Sequence, residues 1–214
     1  SLLAPFGNGL MKNTSWVDTN LFLEIHKATL SAESEILENQ IEVEEIASLS
    51  KEYKHIIIAN GHLLRNVIPR FEDLFSPARV EVMIIETAAD LPQNQIIHGP
   101  VFILPLGDKR FKVGATYHWD KLKDETTTEG LAKLEADLKK IFKGDYRVVK
   151  HQAGVRPNTK DRKPILGKIK DNIYCFNGLG SRGVLMAPLL ADQLLDHIIK
   201  NSQLDPSSDL ARFT

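Results

Sequence analysis

The sequence predicts an α/β (α+β) fold of two interleaved lobes, and three observations carry that prediction. "HIIIANG", His55 to Gly61, is a continuous β-branched run closed by glycine, the pattern of a strand buried on both faces in a parallel, helix-covered sheet. "ARVEVMIIE" (Ala78 to Glu86), "GPVFILPL" (Gly99 to Leu106) and "RFKVGATYHW" (Arg110 to Trp119) are longer strands, the last two joined by a "GDK" turn, as in an antiparallel sheet. A buried strand then returns, "NIYCF" (Asn172 to Phe176), and feeds a glycine turn and a helix. The order buried sheet, antiparallel sheet, buried sheet makes the chain visit two lobes alternately.

Taken in order, residues 1–16 read as extended segments with turns at Gly7 and Gly9. Asp18 caps a helix, "DTNLFLEIHKATL", with Leu21, Ile25 and Ala28 on one face. The alternating "EILENQIEVEEI", Glu35 to Ile46, predicts one or two strands with an acidic outer face. After the antiparallel strands, Leu131, Leu134, Leu138 and Ile141 recur at helical spacing, and "YRVVKHQAGVRP" predicts a basic strand. In the last helix Pro188 either opens the regular part or kinks it, because it lacks an amide donor and crowds the preceding turn.

A chain of 214 residues that is 43% hydrophobic is ample for a packed core. Its one cysteine, Cys175, lies in an apolar strand, which reads as a buried, inert thiol and a reducing compartment. Without a signal-peptide pattern or a long apolar run, a soluble cytoplasmic protein away from membranes is expected. Seven histidines show no paired ligand spacing, so no metal site is expected. The net charge of −1 hides an asymmetry: residues 139–170 carry eleven Lys and Arg against Asp145 and Asp161. That block reads either as a solvated face or as a surface for an anionic partner such as tRNA.

Gly178-x-Gly180-x-x-Gly183 has the spacing of a dinucleotide-binding turn, but that role needs a second parallel strand with an acidic residue about 20 positions on. Only fourteen polar, proline-broken residues follow Lys200. What remains is a glycine turn at a helix N-terminus, where backbone amides and the helix dipole favour negative charge.

"HIIIANG", "GPVFILPLGDKRFKVGATYHW", "AGVRPNTKDRKPILG" and "FNGLGSRGVLMAPLLADQLLDHI" stand in the order that resembles the D-amino-acid-oxidase-like family of FAD-dependent oxidoreductases. That family includes glycine and sarcosine oxidases and the FAD-dependent half of the bifunctional enzyme that modifies the wobble uridine of tRNA, whose branch the "GSRG" and "APLLA" stretch resembles. The resemblance covers the later part of such a protein, without its first ADP-binding βαβ unit. It implies a substrate domain at 1–16 and 75–150, a partial, Rossmann-like FAD-binding domain at 17–74 and 151–214, and FAD as cofactor. The implied activity is oxidation of a C–N bond of an amino acid or secondary amine; the alternative is a non-catalytic module that binds an anionic partner or tRNA through 139–170.

By the same resemblance Gly61, Gly178, Gly180, Ser181, Arg182 and Gly183 border the cofactor; either reading of Pro188 leaves the amides of Ser181, Arg182 and Gly183 pointing outwards. Arg156 matches the arginine that anchors a substrate carboxylate, although a structural ion pair is the commoner fate of an arginine at a strand end. Tyr117 and His118, with Trp119, either border the substrate cavity or pack as core. No side chain is assigned a catalytic role, since hydride transfer to a flavin needs orientation and desolvation rather than a nucleophilic triad.

Overall fold

The computed structural model describes residues 2–5, 7–67, 69–120 and 122–213. In chain order the elements are α1 (Thr19–Glu33), α2 (Ile46–Glu52), β1 (Ile56–Ile58), α3 (Leu64–Val67), β2 (Ala78–Glu86), β3 (Ile97–His98), β4 (Phe102–Gly107), β5 (Arg110–Gly114), α4 (Thr128–Leu138), β6 (Arg147–Arg156), β7 (Ile165–Lys170), β8 (Ile173–Asn177) and α5 (Gly183–Lys200). They divide into two compact units, one of Ser1–Asn8 with Asp73–Arg162 and one of Gly9–Glu72 with Lys163–Thr214. Mixed helix and sheet in two alternately visited units is the predicted class.

The first unit is a five-stranded antiparallel sheet in the order β3-β4-β5-β2-β6. The β4–β5 turn falls at Gly107, Asp108 and Lys109, all with positive φ. Thr127 caps α4 by accepting the Gly130 amide at 3.0 Å. One face of α4 then places Leu134 and Leu138 against Met83, Ile85, Phe111 and Val113, all at most 1% exposed. Burying each such side chain contributes about 1.5–3 kcal/mol. The predicted strand to Trp119 ends at Gly114; beyond it the chain rejoins β2 through one bridge, Arg79 to His118.

The second unit holds a three-stranded sheet, β1-β8-β7, with β1 parallel to β8 and β7 antiparallel. Asp18 caps α1 as expected, accepting from the amides of Asn20 (3.0 Å) and Leu21 (3.2 Å). None of the α1 residues is buried, however, and Leu21, Leu23, Ile25 and Leu30 are each more than half exposed. Two strand predictions are corrected. Over 35–46 no strand forms, because Glu42 and Glu45 cap each other's backbone and turn the chain into a helical turn leading to α2. "HIIIANG" gives only the short β1, and it is not buried on both faces, since Ile57 at its centre is 46% exposed.

Helix α5 runs through Pro188, which leaves the Val184 carbonyl without its usual amide donor. Leu190 of α5 closes a cluster with Leu166 and Leu204. Cys175 is fully buried, and burial pushes its thiol up to about 12, as expected of an inert cysteine. The folded chain should therefore give no reaction with an aromatic disulfide reagent near about pH 8, and one thiol per chain once unfolded in urea. Rapid labelling of the folded chain would contradict this placement.

Candidate functional site

In the second unit, parallel pairing of β1 and β8 brings two glycine turns to the same end of the sheet. Gly61 follows β1 with φ +64°, and Gly178 and Gly180 follow β8 with φ +73° and +57°, a region that side chains with a Cβ rarely enter. A Cβ on Gly61 would meet nothing within 4 Å, so the glycine serves the backbone shape and leaves open space before it. Asn177, 3% exposed, ties the turns together: its Nδ2 donates to the Gly61 carbonyl and its Oδ1 accepts the Gly178 amide, both at 2.8 Å.

That accounting separates the amides of the turn. The Gly178 amide is taken by Asn177, and the Arg182 amide donates to the Leu179 carbonyl at 3.2 Å, so the expected outward-pointing amide at 182 is instead an internal one. Among the described residues no acceptor meets the amides of Gly180 and Ser181. They stand immediately before the 18-residue α5, where partial positive charge accumulates. Ser181 and Arg182 are exposed, and Gly183 is half-buried as the first residue of α5. Sequence reasoning located the turn but missed Asn177, whose only signal is an amide side chain ending an apolar strand just before glycine.

In the first unit, Arg156 ends β6 opposite Ala78 of β2. It lies in this unit, together with Tyr117 and His118, because the boundary falls after Arg162 and not at 150/151. The Arg156 guanidinium donates to the Tyr117 hydroxyl at 3.1 Å and lies 5.3 Å from that ring's centre. Tyr117 in turn stacks with Trp119, 6.3 Å between centroids and 21° between planes. No carboxylate of the described residues pairs with Arg156, so the structural ion pair that the sequence left open is not formed. Nor are the aromatics core: Tyr117 is 47% and Trp119 62% exposed. His118 contributes its backbone, exchanging hydrogen bonds with Arg79 at 2.8 and 2.9 Å.

What holds this segment is a buried ionic cluster that the sequence did not reveal. Arg79, Glu81, Met83 and Ile85 share one face of β2, so the apolar core face continues directly into an ion pair, Arg79 Nη2 to Glu81 at 3.2 Å. Glu81 is wholly inaccessible and also accepts the Thr127 amide (3.0 Å) and hydroxyl (2.7 Å). His151 Nε2 comes within 3.0 Å of Glu81 Oε2 but outside hydrogen-bonding alignment, so that contact is electrostatic only. Burial pushes the Glu81 carboxyl up, and the Thr127 amide and hydroxyl with Arg79 and His151 outweigh it, holding the group below its usual range. Through Thr116, whose hydroxyl accepts the Glu81 amide and whose amide donates to the Glu81 carbonyl, the cluster fixes the strand-like stretch before Tyr117. Opposite charges at i and i+2 in "ARVEV" were the available signal.

The basic block divides between the units after Arg162. Several of its cations have internal partners: Lys140 with Asp137 (2.6 Å), Arg147 with Glu86 (3.4 Å) and Lys160 with Asp73 (3.2 Å). Among the described residues no helix is long and apolar enough to cross a membrane.

The chain is similar to known proteins. The chain is 26% identical over 146 residues to the tRNA 5-methylaminomethyl-2-thiouridine biosynthesis bifunctional protein of Idiomarina loihiensis, a match covering 65% of this chain and 24% of that protein. It is 25% identical over 161 residues to the glycine oxidase of Bacillus licheniformis, covering 72% of this chain and 44% of that protein. Among solved structures, L-proline dehydrogenase from P. horikoshii aligns with a TM-score of 0.60 at 16% identity, over 72% of this chain and 44% of that one. Glycine oxidase from Geobacillus kaustophilus aligns at 0.57 and 22%, over 75% and 44%. The chain thus spans less than half the length of these relatives. Residues 9–197 match the family described as "DAO: FAD dependent oxidoreductase", and with the glycine turns and the mixed-sheet fold already in place, this chain belongs to that family of FAD-dependent oxidoreductases.

Proposed function

We propose that this chain forms part of an enzyme that oxidises the C–N bond of an amino acid or a secondary amine, with Arg156 holding the substrate carboxylate. The observation that carries this reading is the guanidinium of Arg156, half-exposed and without a carboxylate partner among the described residues. Among the described residues one of its donors is engaged, by the Tyr117 hydroxyl. A planar fork with donors to spare matches a carboxylate in two parallel hydrogen bonds.

The second unit fits part of an FAD. The unbonded amides of Gly180 and Ser181 suit an acceptor atom that gains negative charge, and the open space before Gly61 suits a close backbone approach. Gly178 and Gly183 shape that turn, and Arg182 lies exposed beside it. Bound FAD supplies the two-electron acceptor for hydride leaving the carbon next to a neutral amine. The chain's own contributions are to orient the carboxylate at Arg156 and to present fixed donors at the start of α5.

With FAD supplied, Arg156→Lys should raise KM for glycine or sarcosine about 30-fold with a smaller effect on kcat, because a point-charge ammonium loses the second hydrogen bond, worth about 2 kcal/mol. Unchanged kcat/KM would remove Arg156 from the site.

A further inference from the structure

The five-stranded sheet of the first unit ends on β6, its longest strand, and among the described residues no strand pairs with the outer edge of β6. The register tells which backbone groups point outwards there. Arg79 exchanges both backbone hydrogen bonds with His118, and the Glu81 carbonyl accepts the Thr116 amide, so both residues turn their polar groups to the β5 side of β2. They lie opposite Val155 and Ala153 of β6, and Met83, next in the alternation, lies opposite His151. In an antiparallel ladder such non-bonded pairs alternate with bonded ones, so the backbone groups of His151, Ala153 and Val155 face away from β2. Among the described residues no acceptor meets those three amides. From Lys150 to Arg156 the strand pairs with β2 without a register shift, which makes its free side a template for one more strand.

The two faces beside that edge differ in chemistry. His151, Ala153 and Val155 are half-buried on the face that continues the apolar core, where Val148 also packs. Lys150, Gln152 and Gly154 lie on the other face. Lys150 is exposed and has no ion pair among the described residues, and a Cβ on Gly154 would meet nothing within 4 Å. The whole strand carries Arg147, Lys150 and Arg156 and no acidic residue. We infer that β6 is a docking edge for an extended acidic segment of a partner protein, added antiparallel, with apolar side chains beside Ala153 and glutamates beside Lys150. Charge selects this occupant. A second copy of the chain added antiparallel about Ala153 would set Lys150 of each copy against Arg156 of the other, and like charges directly opposite are destabilising. RNA brings negative charge but no amides and carbonyls at strand spacing. An acidic strand brings both, and its role is independent of the oxidation proposed above.

The test is fluorescence anisotropy of the full chain with a labelled peptide of about seven residues alternating glutamate and valine, its lysine and valine counterpart, and an oligouridine of similar length. The glutamate peptide should bind on the order of tenfold tighter than the lysine peptide, and Lys150→Glu should reverse that order. Lys150 is exposed, so the variant should fold, and a circular-dichroism melt superimposing on the parent checks it. The backbone supplies a second arm that leaves the protein untouched. N-methylation of the central valine, whose amide points at β6, should weaken binding about tenfold, while N-methylation of the next glutamate, whose amide points to solvent, should change it less than about twofold. Equal binding of the two peptides, or the same effect of methylation at both positions, overturns the docking edge. Oligouridine binding as tightly as the glutamate peptide also overturns it, since the surface would then read phosphate charge and not a strand.

Discussion

Glu81→Gln is expected to destabilise the first unit by about 3–5 kcal/mol, because it leaves the Arg79 guanidinium, 5% exposed, buried without its counter-charge. The substitution is nearly isosteric, so the loss reports charge and hydrogen bonding, not a cavity. Urea unfolding near neutral pH measures it, and hydrogen exchange at the β2 amides locates it. The pH dependence supplies a second arm. The folded-state carboxyl is held below its ordinary value of 4.5, so its contribution is fully present above that value and is lost as pH falls through the lower folded one. The parent chain should therefore lose stability on the acid side of about pH 4.5, and the glutamine variant should show a shallower acid limb. A variant as stable as the parent would show the cluster to be dispensable.

Gly130 sharpens the same test. A Cβ added there would fall inside the Glu81 carboxylate, which Thr127, Arg79 and His151 prevent from moving. Gly130→Ala should thus cost about 2–3 kcal/mol in the parent chain. With Glu81→Ala as background the clash disappears, and alanine, the better helix former, should become favourable by up to about 1 kcal/mol. That reversal of sign is a coupling that no independent pair of sites would give.

Asn177→Leu carries the second large effect. It removes the donor to the Gly61 carbonyl and the acceptor of the Gly178 amide at a position 3% exposed. Each buried group left unpaired costs about 1–3 kcal/mol, so a loss of about 4 kcal/mol is expected in urea unfolding. If the site reading is right, the leucine variant also weakens flavin binding, measured as the visible spectral shift on titrating FAD, because the two glycine turns lose the link between them. A leucine variant as stable as the parent would mean that the link does not hold the turns.

The elements that were legible are those whose signals are local. Asp18 and Thr127 cap helices by bonding amides two or three residues away, and the Leu134 and Leu138 spacing puts one face of α4 on the sheet. Glu35 to Ile46 misled because its alternation has period two, yet a strand also needs a neighbour to satisfy its amides. Among the described residues no strand pairs with this segment, and the Glu42 and Glu45 caps prevailed. In the same way β1 is apolar as a run, but what lies on each face of Ile57 depends on segments distant in sequence.

By itself the sequence determined the two-lobe class, the glycine turn opening the last helix, the buried Cys175 and the four-motif likeness to the FAD-dependent family, because each of these resides in composition or in contiguous residues. Only the tertiary structure decided that Arg156 has no acidic partner among the described residues and meets Tyr117, that Arg79 and Glu81 continue the core face of β2, and that Asn177 joins two turns 116 residues apart. The first and last of these join segments distant in sequence, and the burial of the Arg79–Glu81 face is set by what packs against β2; each is a property of how strands meet and not of any one strand read alone.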